Sequence, residues 1–261
     1  MATTPNRAAV EQGIYIDFEG TQTDPPVMLG IFWVTPDAEE HLEQLIFNPI
    51  LDSAALAKGK ELGHGACIVV GSLEAAFTRA LELSEELGVP IVEWSFREEQ
   101  VLDASMLSEM MIRRIKSRIL NGLPVARRWA RRTQERSALK PDKRGKRYTL
   151  SNFAKLTGYD VPSLYGAGNS ASRVREVLRQ IELRGDYGQI TGVAKRKWVA
   201  FLKHNEHDLK ATRHVILHVV PPSQGSSNSL HRDTSETSNE LTKFSRIIRN
   251  DNIDNTTCQY V

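Results

Sequence analysis

Only two cysteines occur in the 261 residues, Cys67 and Cys258. A disulfide framework or a thiolate zinc site needs more of them, closer together, so both are excluded and redox chemistry with them. No apolar run approaches the ~18 residues that a membrane-spanning helix requires. Met1 to Gly13 carries neither an apolar signal core nor an Arg-rich transit pattern, which gives the expectation of a cytoplasmic protein with no membrane partner. Glycine-rich phosphate cradles are missing too. Tyr165-Gly166-Ala167-Gly168-Asn169 has no preceding strand and not the spacing of a dinucleotide fingerprint, and the same holds for Gly63-His64-Gly65 with Gly71.

Net charge is also scarce, at +2, yet the charges are segregated. Between Arg113 and Arg147 stand fourteen basic residues and only two acidic ones, Glu135 and Asp142, so the remainder of the chain is acidic. Such a block reads as a contact for a polyanion, because Lys and Arg gain affinity by displacing counterions from a phosphate backbone. A solvated helix face or a flexible basic linker is the plainer reading. With 40% hydrophobic and 25% charged residues the composition is that of a globular protein, long enough for one large domain with appendages.

Local patterns predict a mixed α/β chain. Strands are expected at about 13–20, Val27 to Val34 and Leu42 to Phe47, with turns at Pro25-Pro26 and Thr35-Pro36-Asp37. A helix from Ser72 to Leu87 follows, with Ser72 as N-cap and Gly88 as its stop. Pro90 to Trp94 reads as a short buried strand, and Ser95 as the start of one long helix ending near Leu120, before Asn121-Gly122. A basic connector spans Ala126 to Arg147, and further helices are expected at about Ser170 to Arg184 and Ala194 to Val219. Beyond Pro221-Pro222 the composition turns to Ser, Thr, Asn and Asp, the mark of a disordered tail.

Chemistry concentrates at acidic positions. In Ile14-Tyr15-Ile16-Asp17-Phe18-Glu19, alternation puts Ile14, Ile16 and Phe18 on one side of a strand and Asp17 and Glu19 on the other, roughly 7 Å apart. Two such carboxylates suit a hard divalent cation; the competing reading is an edge strand with a wet outer face. In the last helix His204 and Asp208 are separated by four residues and flank an apolar stripe of Trp198, Phe201, Leu202, Leu209, Val215, Ile216 and Val219. An ionised carboxylate beside a core needs a partner, which a metal supplies, or His204 itself, or a nearby base. A third carboxylate is expected from Glu98 or Glu99. Ser95-Phe96-Arg97-Glu98 is also a capping box, which gives Glu98 a purely structural use, and Asp103 is a substitute one turn on.

Tyr15-Ile16-Asp17-Phe18-Glu19-Gly20, the Trp94 to Glu98 segment, and His204-Asn205-Glu206-His207-Asp208-Leu209-Lys210-Ala211-Thr212 occur in the order of the RNase H-like, DEDD-type exonuclease domain of the YprB-like group that accompanies RecB-family nucleases. Tyr148-Thr149-Leu150 with Phe153 to Tyr159 is similar to the segment before the last acidic helix of that group. The resemblance covers about 13–219. Position 204 is His where the group commonly has Tyr, and the middle acid is Glu98 rather than Asp.

The resemblance implies a five-stranded mixed sheet flanked by helices: a flexible N-terminus at 1–12, a nuclease domain at 13–220 with a basic insertion at about 113–147, and a low-order polar tail at 221–261. It implies a hydrolase using two Mg²⁺ or Mn²⁺ ions, expected to be a 3′–5′ exonuclease on single-stranded DNA or RNA ends. Asp17, Glu19, Glu98 and Asp208 would be the metal ligands, with Asp17 bridging, and His204 would orient or deprotonate the attacking water. Arg127, Arg128, Arg131, Arg132, Lys143, Arg144, Lys146 and Arg147 would follow substrate phosphates, and Trp94 or Trp129 would stack on a base. A catalytically weakened nucleic-acid-binding module, or an adaptor using the basic block for an acidic partner, would fit the same charges.

Overall fold

In the computed structural model the alternating run around Asp17 is strand β1 (Ile14–Gly20), preceded by a short helix α1 (Arg7–Glu11). The described residues are 5–20, 25–59, 66–142, 145–160, 162–165 and 169–222. Strands β2 (Pro26–Val34) and β3 (Glu40–Ile46) complete an antiparallel meander, followed by helix α2 (Asp52–Gly59) and strand β4 (Ala66–Val70). Then come α3 (Leu73–Glu86), β5 (Ile91–Glu93), α4 (Arg97–Asp103), α5 (Glu109–Arg118), β6 (Ile119–Asn121) and α6 (Gly122–Arg132). Helices α7 (Leu150–Leu156), α8 (Ser170–Arg184) and α9 (Gly192–Val219) close the described chain.

The sheet has the order β4-β3-β2-β1-β5-β6 and is mixed: β5 runs parallel to β1, β6 parallel to β5, and β4 parallel to β3. Six strands therefore stand where five were expected. Neither β4 nor β6 is among the strands expected from local pattern; β4 carries the short apolar run Cys67 to Val70, whose length and content do not separate a strand from a buried turn of helix.

Both faces of the sheet are covered. Ile14, Ile16 and Phe18 face Phe77 and Leu81 of α3, with Leu102 of α4 and Ile115 of α5 beside them. Tyr15 and Phe32 face the opposite layer, where Leu209, Val215 and Ile216 of α9 pack with Val125 of α6 and Phe153 of α7. Further along α9, Trp198 and Phe201 meet Met28, Ile46 and the α8 residues Val174 and Val177. Fully burying an aliphatic or aromatic side chain of this kind contributes about 1.5–3 kcal/mol, so the two layers fix β1 at the centre of the molecule.

Helix starts follow their caps. Ser72 Oγ accepts from Ala75 N at 3.1 Å, as anticipated, and Thr149 and Thr191 do the same for α7 and α9. The single long helix expected from Ser95 to Leu120 is instead α4, α5 and β6. Ser108 caps a fresh helix by accepting from Met111 N, and Ser105 Oγ bonds back to Leu102 O, so the chain turns between them. Ile119-Leu120 is then drawn into the sheet beside β5, and Asn121 begins α6 rather than ending a helix, its Oδ1 accepting from Leu123 N at 3.2 Å.

Part of the expected basic connector is thereby helical: Val125, Ala126 and Ala130 of α6 are buried while Arg127 and Arg131 point outward. Part of the expected flexible N-terminus is helical too, because Arg7 bonds to Glu11 at 2.8 Å and to the carbonyls of Leu217 and Val220 at the end of α9. These elements all belong to the unit Met1–Pro221. The expected tail beyond residue 222 lies outside the described residues. None of the helices is long and apolar enough to cross a membrane, among the described residues.

Candidate functional site

The carboxylates of β1 do not sit on a wet edge. With β2 on one side and β5 on the other, Asp17 and Glu19 project from the centre of the sheet toward α9. Asp17 is level with Gly30 of β2, and Gly30 with Gln44 of β3. Over this row lies Asn205, fully buried. Its Nδ2 donates to Asp17 O at 3.1 Å and to Asp17 Oδ2 at 3.0 Å. Its Oδ1 accepts from Gln44 Nε2 at 3.1 Å, which also donates to Leu202 O at 2.8 Å. A methyl group at position 30 would lie 2.0 Å from Asn205 Oδ1, so only glycine lets the helix approach this closely.

One turn of α9 carries the other half of the site. His204 Nδ1 is 2.5 Å from the carbonyl oxygen of Tyr165. A carbonyl only accepts, so Nδ1 holds the proton and Nε2 turns toward the acids. Nε2 is 3.4 Å from Glu19 Oε1 and 3.7 Å from Asp208 Oδ2. Glu19 Oε2 in turn accepts a short hydrogen bond from Ser170 Oγ at the start of α8. Glu19, His204 and Asp208 each offer one ligand atom, and the three atoms lie within 4.8 Å of one another. Two carboxylate oxygens and an imidazole nitrogen at that spacing could hold one divalent cation.

Burial raises the pKa of each acid in this group in the absence of a cation. Desolvation holds Asp17 well above the usual carboxylate range, and the charges of Glu19, Asp208 and Glu98 push it the same way. Desolvation lifts Glu19 to about 7, against the opposing pull of His204. Asp208, half-buried, is lifted to about 7 by desolvation. Clustered carboxyls that resist ionisation alone are favoured in their ionised form by a bound cation.

Glu98 is buried at the start of α4, close enough to act on the charge of Asp17 but outside the three-atom set. Ser95 Oγ donates to its Oε2 at 3.2 Å and the Ser95 backbone N–H points to the same carboxylate, but the helix starts one residue later than the expected box, with Phe96 at the N-cap and no side-chain cap. Asp103 is elsewhere, paired with Lys116 at 2.6 Å. Glu99 lies beside Glu93 and raises its pKa. Glu93 itself was not anticipated: it is fully buried at the end of β5, its Oε1 accepts from Asn121 Nδ2 at 2.7 Å, and burial with the charges of Glu98 and Glu99 pushes it up to about 9.

The basic residues form no part of this cluster. Arg127, Arg131 and Arg132 are exposed on α6, and Arg128 is half-buried. The Arg127 guanidinium sits 4.6 Å over the Tyr148 ring. Lys146 is exposed and Arg147 donates to Arg136 O, while Lys143 and Arg144 lie outside the described residues. Neither tryptophan named for stacking stands free: Trp94 packs edge-on to Phe153 and Trp129 edge-on to His218.

Comparison with protein-family models, with curated proteins and with solved structures finds no match for this chain.

Proposed function

We propose that the chain is a divalent-metal-dependent nuclease of RNase H-like fold, hydrolysing phosphodiester bonds at single-stranded DNA or RNA ends. The observation that carries this reading is the convergence of Asp17 and Glu19 from the central strand with His204 and Asp208 from α9, Glu98 standing beside them. The mixed sheet flanked by helices is compatible with the fold that the resemblance implies, with six strands rather than five.

The donor set fits Mg²⁺ or Mn²⁺. Glu19, His204 and Asp208 would hold one ion, with Asp17 and Glu98 serving a neighbouring position. Such ions, when bound, lower the pKa of a coordinated water and stabilise charge on the attacking and leaving oxygens. The chain's own residues do the rest. Ser170 fixes the rotamer of Glu19, Asn205 that of Asp17, and the Tyr165 carbonyl keeps the His204 proton on Nδ1, leaving Nε2 free to ligate or to accept a proton from water. Arg127 and Arg131 on α6 supply outward cations for a phosphate backbone.

The test is degradation of end-labelled DNA and RNA oligonucleotides with Mg²⁺, Mn²⁺ or EDTA. The reading expects metal-dependent shortening from one end, lost in Asp17→Asn and Asp208→Asn. Salt-sensitive binding without cleavage by the unmodified chain would instead make it a binding module, and absence of both would leave an adaptor.

A further inference from the structure

Beyond Asp208 the same helix borders a cavity of about 480 Å³ whose lining has a different character from the acidic cluster. Arg7, Lys210 and Arg213 bring three permanent cations to it, against one carboxylate, Glu40. Tyr159 adds aromatic surface, while Phe32 is buried beneath Lys210 and His214 Nε2 is engaged by the Thr157 carbonyl at 2.9 Å. The volume is within the usual ~300–1,000 Å³ of a small-molecule site.

The cations are already oriented. Lys210 is held by Glu40 at 2.7 Å and Glu206 at 3.3 Å and lies 5.6 Å from the Phe32 ring centre. Arg7 is anchored by Glu11 and by two carbonyls at the end of α9. Arg213 donates one Nη to the Glu11 carbonyl, and its buried Nε has no hydrogen-bond partner among the described residues. A guanidinium with two further cations lining one cavity is a place for an oxyanion.

A chain of contacts links the cavity lining to the acidic cluster. Tyr159 Oη is 3.2 Å from His207 Nδ1, His207 stacks on Tyr165, and the Tyr165 carbonyl holds His204. Asp208 and Arg213 are five helical steps apart, roughly 8 Å along the axis.

The geometry points to a nucleotide-binding cavity: phosphate on Arg213, Arg7 and Lys210, and the base against Tyr159. Where the nucleotide is one unit of a strand, this deepens the nuclease reading and rests on it. Binding as such requires no hydrolysis.

Calorimetric titration of the full chain in EDTA, with AMP, adenosine and inorganic phosphate as separate probes, tests it. AMP is expected to bind with a sub-millimolar Kd, at least about tenfold more tightly than either fragment, because charge and ring contacts add. Arg213→Gln and Lys210→Gln should each weaken AMP by about tenfold or more. The second variant keeps the test open if the first does not fold. No binding of AMP, equal binding of phosphate and AMP, or indifference of both variants would overturn the inference. Displacement of AMP by a single-stranded oligonucleotide supports the strand-unit source, and AMP binding that the oligonucleotide leaves unchanged overturns that source in favour of a free nucleotide. Metal-dependent cleavage without AMP binding sinks this inference alone, whereas AMP binding without cleavage sinks only the nuclease reading.

Discussion

Asn205 Nδ2 lies 3.0 Å from Asp17 Oδ2, and it reaches that position only because residue 30 has no side chain. Gly30→Ala would place a methyl group on Asn205 Oδ1, forcing α9 away from β2 or turning the amide out of the row. We expect a loss of about 2 kcal/mol in urea denaturation, as for overpacked cores, together with weaker Mn²⁺ binding. Unchanged stability and metal binding would show that the close approach has no consequence.

Stability should fall as pH rises when metal is withheld. Glu19 and Asp208 have folded-state values of about 7 against ordinary values of 4.5 and 3.8. A raised carboxylate favours the folded state while it is protonated, so its contribution is intact below about pH 4 and is lost as pH climbs through about 7. In EDTA the urea midpoint should therefore drop between pH 5 and pH 8, and Asp208→Asn should flatten the drop. Adding Mn²⁺ at pH 8 should restore the midpoint, because the ion binds the folded state preferentially. A midpoint that rises over this range contradicts the placement of these groups.

Glu93 offers a separate check of the same principle. Its carboxyl is fully buried and pushed up to about 9, so at pH 8 folding requires it to take up a proton that the unfolded chain has released. Glu93→Gln retains an acceptor for Asn121 and should stabilise the metal-free protein at pH 8 by about 2 kcal/mol, with a smaller gain at pH 5. A destabilised variant at pH 8 would mean that the carboxylate is ionised and partnered in the fold.

Arg127 and Arg131 are exposed on α6. If they meet phosphates, replacing both with Gln should reduce the slope of log affinity for single-stranded DNA against log salt by about 1–2, with Mn²⁺ binding unchanged. An unaltered slope would remove α6 from the nucleic-acid path.

The alternation of Ile14, Ile16 and Phe18 with Asp17 and Glu19 was legible because a strand buried on both faces still has to sort its acids to one side. So was the pairing of His204 with Asp208, since helical spacing sets it without tertiary information. Long-range relationships were not. Ile119-Leu120 has the same letters whether it ends a helix or pairs with β5, and only the vacant edge of β5 decides. Asn205 did leave a mark, as a polar residue interrupting the stripe from Phe201 and Leu202 to Leu209, and Gly30 another, as a glycine inside the apolar run Val27 to Val34. That these two belong together with Gln44 depends on strand register, which no local pattern contains.

The central claim is that Glu19, His204 and Asp208 share a divalent cation, and the most direct measurement is Mn²⁺ titration of the metal-free protein followed by electron paramagnetic resonance of the unbound ion. The account predicts saturable Mn²⁺ uptake, weakened at least about tenfold by Asp208→Asn and by His204→Ala. Uptake that is absent, or that both variants leave intact, would contradict it.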